Sequence, residues 1–181
     1  MARASTTPEI HHSIIANMVA TFLNYQHYAP HKIDDALSKQ WLDTYIDDLD
    51  FNRMIFLSSD IDEFKQWSLT LDNDILLREP KLSAATQIYE RYQVRVHERM
   101  AAAQHQLTQP IDLTQDIFWE PDRSESAWPA SSGEADELWR LRIMEQVLLG
   151  DLQDRPRFLI VFSPWVGMGK ALWDHYAGSL N

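Results

Sequence analysis

Apolar residues recur at intervals of three and four along most of this chain, the spacing of a helix face rather than of a strand. From about Ile10 to Tyr28, Ile10, Ile14, Met18 and Phe22 follow every fourth residue, with Ile15, Val19 and Leu23 one step behind and Pro30 as the boundary. After Asp34, the residues Leu37, Trp41, Tyr45 and Leu49 share a second face with Leu42 and Ile46 beside them, while Asp43, Asp47 and Asp48 point outward. A further helix is expected over Ile61, Phe64, Ser68 and Leu71. The longest runs from Ser83 to about Leu107, with Ala85, Tyr89, Tyr92, Val96, Met100, Ala103 and Leu107 inward. Its opposite face holds Glu90, Arg91, Arg95, Glu98 and Arg99, spaced for ion pairs between neighbouring turns. A last helix, opened by Ser131 and Glu134 at capping-box spacing, carries Leu138, Leu141, Met144 and Leu148 inward and ends near Gly150. The expected fold is therefore all-α: a single domain of about five helices.

Two stretches break the period. Between the last two helices, "TQPIDLTQDIFWEPDRSESAWPASSGEADE" contains three prolines and no steady repeat. Loops of that length are either functional or packed by their own side chains, and Phe118, Trp119 and Trp128 favour packing here. Beyond Pro156, "RFLIVFSPWVGMGKALWDHYAGSLN" forms an irregular apolar tail with few charges, and four of the five glycines lie from Gly150 onward.

The segment "DFNRMIFLSSDIDEF" at 50–64 concentrates four carboxylates, which raises the question of a metal loop. A calcium loop needs a central glycine for its sharp turn, and no glycine lies between Met1 and Gly133. Helix punctuation is the reading adopted. Asp50 and Asn52 make a turn by bonding their own backbone. Ser59 and Asp62 stand at capping-box spacing, and Asp60, Asp62 and Glu63 lie in a first helical turn that favours negative charge.

Other constellations carry no chemistry. "FSPWVGMGKA" has proline at 164 and alanine at 171, where a phosphate-binding loop needs glycine and a hydroxyl. His11 and His12 diverge on a helix, Pro30 separates His27 from His31, and no His-Glu-x-x-His run exists. Ser38 and Lys39 are sequence neighbours that do not face each other. Tyr92, His97 and Glu98 read as a charged face over an aromatic one rather than a relay. The expectation is no catalytic residue, no metal site and no cofactor, with Phe118, Trp119 and Trp128 as the candidate partner-binding side chains, because aromatics dominate interaction hot spots.

Composition narrows the partner classes. Of 181 residues, 45% are hydrophobic and seven are tryptophan, which supports a folded core. A net charge of −11 repels a phosphate backbone, so nucleic acid is not an expected partner. No apolar run reaches the length of a membrane span. Cysteine is absent, so neither disulfide nor thiolate chemistry is available. The opening "MARASTTPEI" has no apolar core of a signal peptide, which read literally places the product in the cytoplasm.

Three segments in order, "LDFNRMIFLSSDIDEF" (49–64), "YERYQVRVHERM" (89–100) and "DRSESAWP" (122–129) followed by "ELW" (137–139), resemble the N-terminal helical domain of the tail-specific proteases, the carboxyl-terminal processing peptidases of Gram-negative bacteria. The resemblance covers roughly Ile10 to Asp154. It implies a multidomain periplasmic serine protease, in which this domain precedes a PDZ domain that captures apolar C-termini and a Ser/Lys catalytic dyad. No position here matches the dyad or the PDZ carboxylate loop, so no catalytic residue is carried over. The resemblance makes this domain a scaffold and docking surface for a protein substrate or adaptor. Two departures stand out: the missing signal peptide, and a tail that departs from the charged helical sequence expected there. The division that follows is a disordered 1–9, a helical domain over 10–155 and an atypical tail over 156–181 read as an out-of-frame ending of a truncated remnant. The alternative is a free-standing helical protein-binding module.

Overall fold

The structure is a computed structural model, and it describes residues 8–26, 32–112 and 114–151. The expectations that fall on the start of the chain, on His27, Tyr28, Pro30 and His31, and on the tail from 152 lie outside the described residues. Among the described residues every regular element is helical. Six α-helices follow in chain order: α1 (Pro8–Gln26), α2 (Asp35–Asp50), α3 (Ser58–Phe64), α4 (Leu71–Leu76), α5 (Ser83–Leu107) and α6 (Ser132–Asp151), with a short 3-10 turn at Lys65–Trp67. The all-α expectation holds.

Each helix has a local cause. Asp34 caps α2, its Oδ1 accepting the N–H groups of Ala36 (3.1 Å) and Leu37 (3.3 Å). The single helix expected over Ile61–Leu71 is instead α3, the 3-10 turn and α4, because tightening at Lys65–Trp67 and the bend at Ser68–Thr70 break the period. The expected capping box at Ser59 and Asp62 is also displaced. The residue before α3 is Leu57, and Asp60 at the third helical position accepts the Leu57 N–H at 3.0 Å. That is only the acidic half of a box, since a leucine side chain has no oxygen to cap with. Asp62 pairs with Lys65 at the surface.

The described residues group into two compact units. One comprises the chain up to Glu98 together with Asp122–Ser132; the other comprises Arg99–Pro121 and the chain from Gly133 onward. In the first unit, Leu42, Ile46, Phe56, Phe64 and Ile88 form a buried cluster, with Tyr45, Leu49, Ile61, Trp67, Tyr92 and Trp128 packed against it. Phe56 meets Phe64 edge-on at 5.3 Å between ring centroids, a favoured aromatic geometry. The deepest row of α2 is Ser38, Leu42, Ile46 and Asp50, one step round from the expected face, and Trp41, Tyr45 and Leu49 flank it half-buried. Along α5, the buried positions are Ala84, Ile88, Val96, Arg99 and Ala103, whereas Tyr89, expected inward, is exposed.

The second unit buries Ala103, Ala135, Trp139, Ile143 and Val147. The last four recur every fourth residue along α6. Leu138, Leu141 and Met144 are only half-buried and Leu148 is 50% exposed, so the inward face of α6 is rotated from the expected one. Trp139 sets that rotation, because burying the largest side chain on the helix outweighs a stripe of smaller ones. Arg99 is buried in the same unit and donates to the Asp136 carboxylate.

Candidate docking site

The long loop between α5 and α6 supplies the candidate side chains, and the two units hold different parts of it. In the second unit, Phe118 is 87% exposed on an irregular stretch, flanked by the exposed acids Asp116 and Glu120. Trp119 beside it is half-buried, and its indole N–H is enclosed without an acceptor. The loop is held at intervals by its own polar groups. Asp112 accepts the hydroxyl (2.6 Å) and N–H (3.0 Å) of Thr114, and Asp122 does the same for Ser124 at 2.8 and 3.1 Å. Those bonds hold both carboxyls below their usual range.

In the first unit, Trp128 is pinned to the core. Its indole N–H donates to Asp50 Oδ2 at 3.1 Å, and the Arg53 guanidinium lies 4.5 Å from the ring centroid, within cation–π range. Arg53 also donates to the Ser126 carbonyl at 2.5 Å, and the Ser58 N–H to the Pro129 carbonyl at 2.9 Å. Arg53 adopts φ 53°, a left-handed conformation uncommon outside glycine. Its cost of ~1 kcal/mol is met by these fastenings on either side.

Asp50 organises the turn as the sequence led us to expect, and more deeply. Its carboxylate accepts the N–H groups of Met54 (2.8 Å), Ile55 (3.1 Å) and Phe56 (3.0 Å) in addition to the Trp128 indole. Only 4% of the residue is exposed, and burial pushes its carboxyl up to about 6 even though the backbone and indole donors act to lower it. Burial and the nearby Asp50 push Tyr92 up to about 12.

Asp60 is the residue whose part the sequence concealed. Burial works to raise its pKa, but Arg95, the Leu57 N–H and Arg91 together outweigh that and hold the carboxyl below the usual range. Arg91 reaches Oδ1 at 2.6 Å, and Arg95 donates through Nε (2.7 Å) and a terminal nitrogen (2.9 Å), a two-pronged grip. Arg91 also pairs with Glu63 and Arg95 with Glu98. Expected to pair along α5, Arg91 binds Asp60 and Glu63 of α3 instead, and Arg95 binds Asp60 as well as Glu98 of its own helix. Equal spacing of Arg91, Arg95 and Arg99 was the available signal. Arginines at four-residue intervals on one face call for anionic counterparts on a neighbouring element, which Asp60 supplies to Arg91 and Arg95 and Asp136 to Arg99.

The other constellations are tied elsewhere. The Ser38 hydroxyl donates to Asp72 Oδ1 and accepts the Asp72 N–H, both at 2.8 Å, while Lys39 is exposed. His97 Nδ1 lies 2.6 Å from the Gln93 carbonyl and Glu98 faces Arg95. Among the described residues, no three His, Asp or Glu side chains converge as a metal site, and no helix is long and apolar enough to cross a membrane. An apolar cavity of about 150 Å³ lies in the first unit beside Trp41, Tyr45, Leu71, Ile75 and Ile88. Another, of about 220 Å³, lies in the second beside Gln106, Ile111, Asp112, Arg140 and Met144.

The described residues thus present helices fastened by buried ion pairs, with aromatic side chains on a tethered loop. Residues 19–156 match the family model described as the tail specific protease N-terminal domain, and the chain belongs to that family. Over 136 residues it is 37% identical to the tail-specific protease of Haemophilus influenzae (strain ATCC 51907 / DSM 11121 / KW20 / Rd), an alignment that covers 75% of this chain and 19% of that protein.

Proposed function

We propose that this chain acts as the docking and scaffold domain of a tail-specific serine protease. It presents protein substrates or an adaptor to a catalytic dyad and a PDZ domain supplied by other parts of such a protein, and contributes no catalytic residue itself. The family membership supports this reading, as does the related protein's name. On that reading the domain works in the periplasm.

The observation that carries the docking part is Phe118, 87% exposed beside a half-buried Trp119 whose indole N–H lacks an acceptor. An aromatic ring exposed to that degree is suited to an apolar pocket on another protein. Trp128 contributes by fixing the end of the loop. The test is capture of proteins from a Gram-negative periplasmic extract by the intact chain and by the variants Phe118→Ala and Trp119→Ala. Loss of a defined band with both, at unchanged circular dichroism, is the expected result. Capture unchanged by either substitution would remove the loop from the docking role, and hydrolysis of an apolar-tailed peptide by the pure chain would refute the non-catalytic assignment.

A further inference from the structure

Over the Pro8–Gln26 span of α1, Glu9 is the only Asp, Glu, Lys or Arg, in a chain whose net charge is −11. The inner side of α1 is made of small and polar groups. Ala20 is buried, and the Asn17 amide donates to the Ile75 carbonyl at 2.6 Å. The large apolar side chains are on the outside: Ile14 is 45% exposed, Ile15 57%, Met18 65%, Val19 53%, Phe22 53% and Leu23 36%. Contiguous apolar exposure of this kind marks an interaction site rather than ordinary surface.

The six residues form two adjacent four-residue rows, Ile14–Met18–Phe22 and Ile15–Val19–Leu23. Such rows are the ridges that pack into the grooves of a second helix. The pattern is also symmetric about its own midpoint between Met18 and Val19. Turned end for end about that point, it places Ile14 opposite Leu23, Ile15 opposite Phe22 and Met18 opposite Val19. A surface complementary to a reversed copy of itself is what a two-fold contact needs. Charge points the same way. Two copies of a chain at −11 repel over most of their surfaces, but from Ile10 to Gln26 neither would present an acid to the other. Three helical turns packed in this way remove on the order of 1,000 Å² in total, the lower bound for a specific association.

We propose that the outer face of α1 is a self-association surface, on which two copies of this chain pair helix to helix, antiparallel, about a two-fold axis near Met18 and Val19. This is independent of the docking role of the loop.

The experiment is sedimentation equilibrium of the full chain over a concentration series, together with Met18→Glu, Met18→Leu and two single-cysteine variants, Met18→Cys and Lys39→Cys. The wild-type chain is expected at twice its 21.1 kDa mass at high concentration. Met18→Glu should weaken the dimer by ~100-fold or more, because it buries an unpaired charge, and Met18→Leu should preserve it. The chain has no cysteine of its own, so disulfide formation under mild oxidation reports proximity directly and should be rapid for Met18→Cys and slow for Lys39→Cys. Wild-type chain that stays monomeric throughout would overturn the proposal, assigning the face to residues 152–181 of the same chain or to a different protein. So would a dimer indifferent to Met18→Glu, or equal cross-linking at the two cysteine positions. If Met18→Glu fails to fold, the cysteine pair decides alone.

Discussion

Taking the Asp60 carboxylate away would leave two guanidinium groups facing a site that is fully enclosed on the acid's side, with Arg95 only 15% exposed. Removing one partner of a buried ion pair costs ~3–5 kcal/mol. Arg91, 35% exposed, can turn to water and recover part of it. We therefore expect Asp60→Ala to lower unfolding stability by about 3 kcal/mol, read from urea titration of tryptophan fluorescence, and Glu63→Ala by under ~1 kcal/mol, since its pair is half-exposed. The two buried acids answer pH with opposite signs. The folded Asp60 carboxyl lies below its usual range, so its contribution is present above that range and is lost on acidification. The folded Asp50 carboxyl is raised to about 6 from 3.8, so its contribution is complete below pH 3.8 and is lost as pH rises through 6. The difference corresponds to about 3 kcal/mol. Urea titrations from about pH 3 to 8 should show the stability of wild type falling by about that amount relative to Asp50→Asn as pH increases; a constant difference would mean that Asp50 is not buried as described. The sequence placed Asp50 in the turn that follows a helix and Asp60 in the first turn of the next, but did not show their depth. Burial depends on Arg91, Arg95 and Trp128, residues far along the chain that no local pattern connects to them.

At the level of elements, periodicity located α5 with its bounds Ser83 and Leu107 and located α2 to its cap, because long amphipathic runs with polar ends leave little freedom. It failed where two faces compete. On α6 the spacing of Leu138, Leu141, Met144 and Leu148 is as regular as that of Ala135, Trp139, Ile143 and Val147, and only packing decides between them. Trp139→Ala should accordingly cost ~3–5 kcal/mol, while Leu148→Ala should stay within ~0.5 kcal/mol. Thermal unfolding of the two variants distinguishes the registers, and equal losses would restore the leucine face. The division of the third helix was likewise hidden, because Ile61, Phe64, Ser68 and Leu71 keep helical spacing across a 3-10 turn. For the candidate site, the sequence singled out Phe118, Trp119 and Trp128 as aromatic side chains of one loop. It did not separate the exposed Phe118 from the anchored Trp128, since that difference rests on Asp50 and Arg53.

For the molecule as a whole, the chain belongs to the tail specific protease N-terminal domain family and spans 19% of the related protease's length. The path of the chain between its units has one more effect. It leaves the first unit after Glu98, returns at Asp122–Ser132, and leaves again. A chain made from its N-terminus therefore cannot complete that unit when Glu98 emerges. At ~5–20 residues per second, Trp128 and Pro129 arrive roughly 2–6 s later. Until then Asp50 lacks its indole partner and the Ser58 N–H its carbonyl, while the hydrophobic cluster they close stands unfinished. The wait is long compared with helix formation or collapse, so the nascent domain is open to chaperones, and to aggregation, until a tryptophan more than seventy residues downstream has been made.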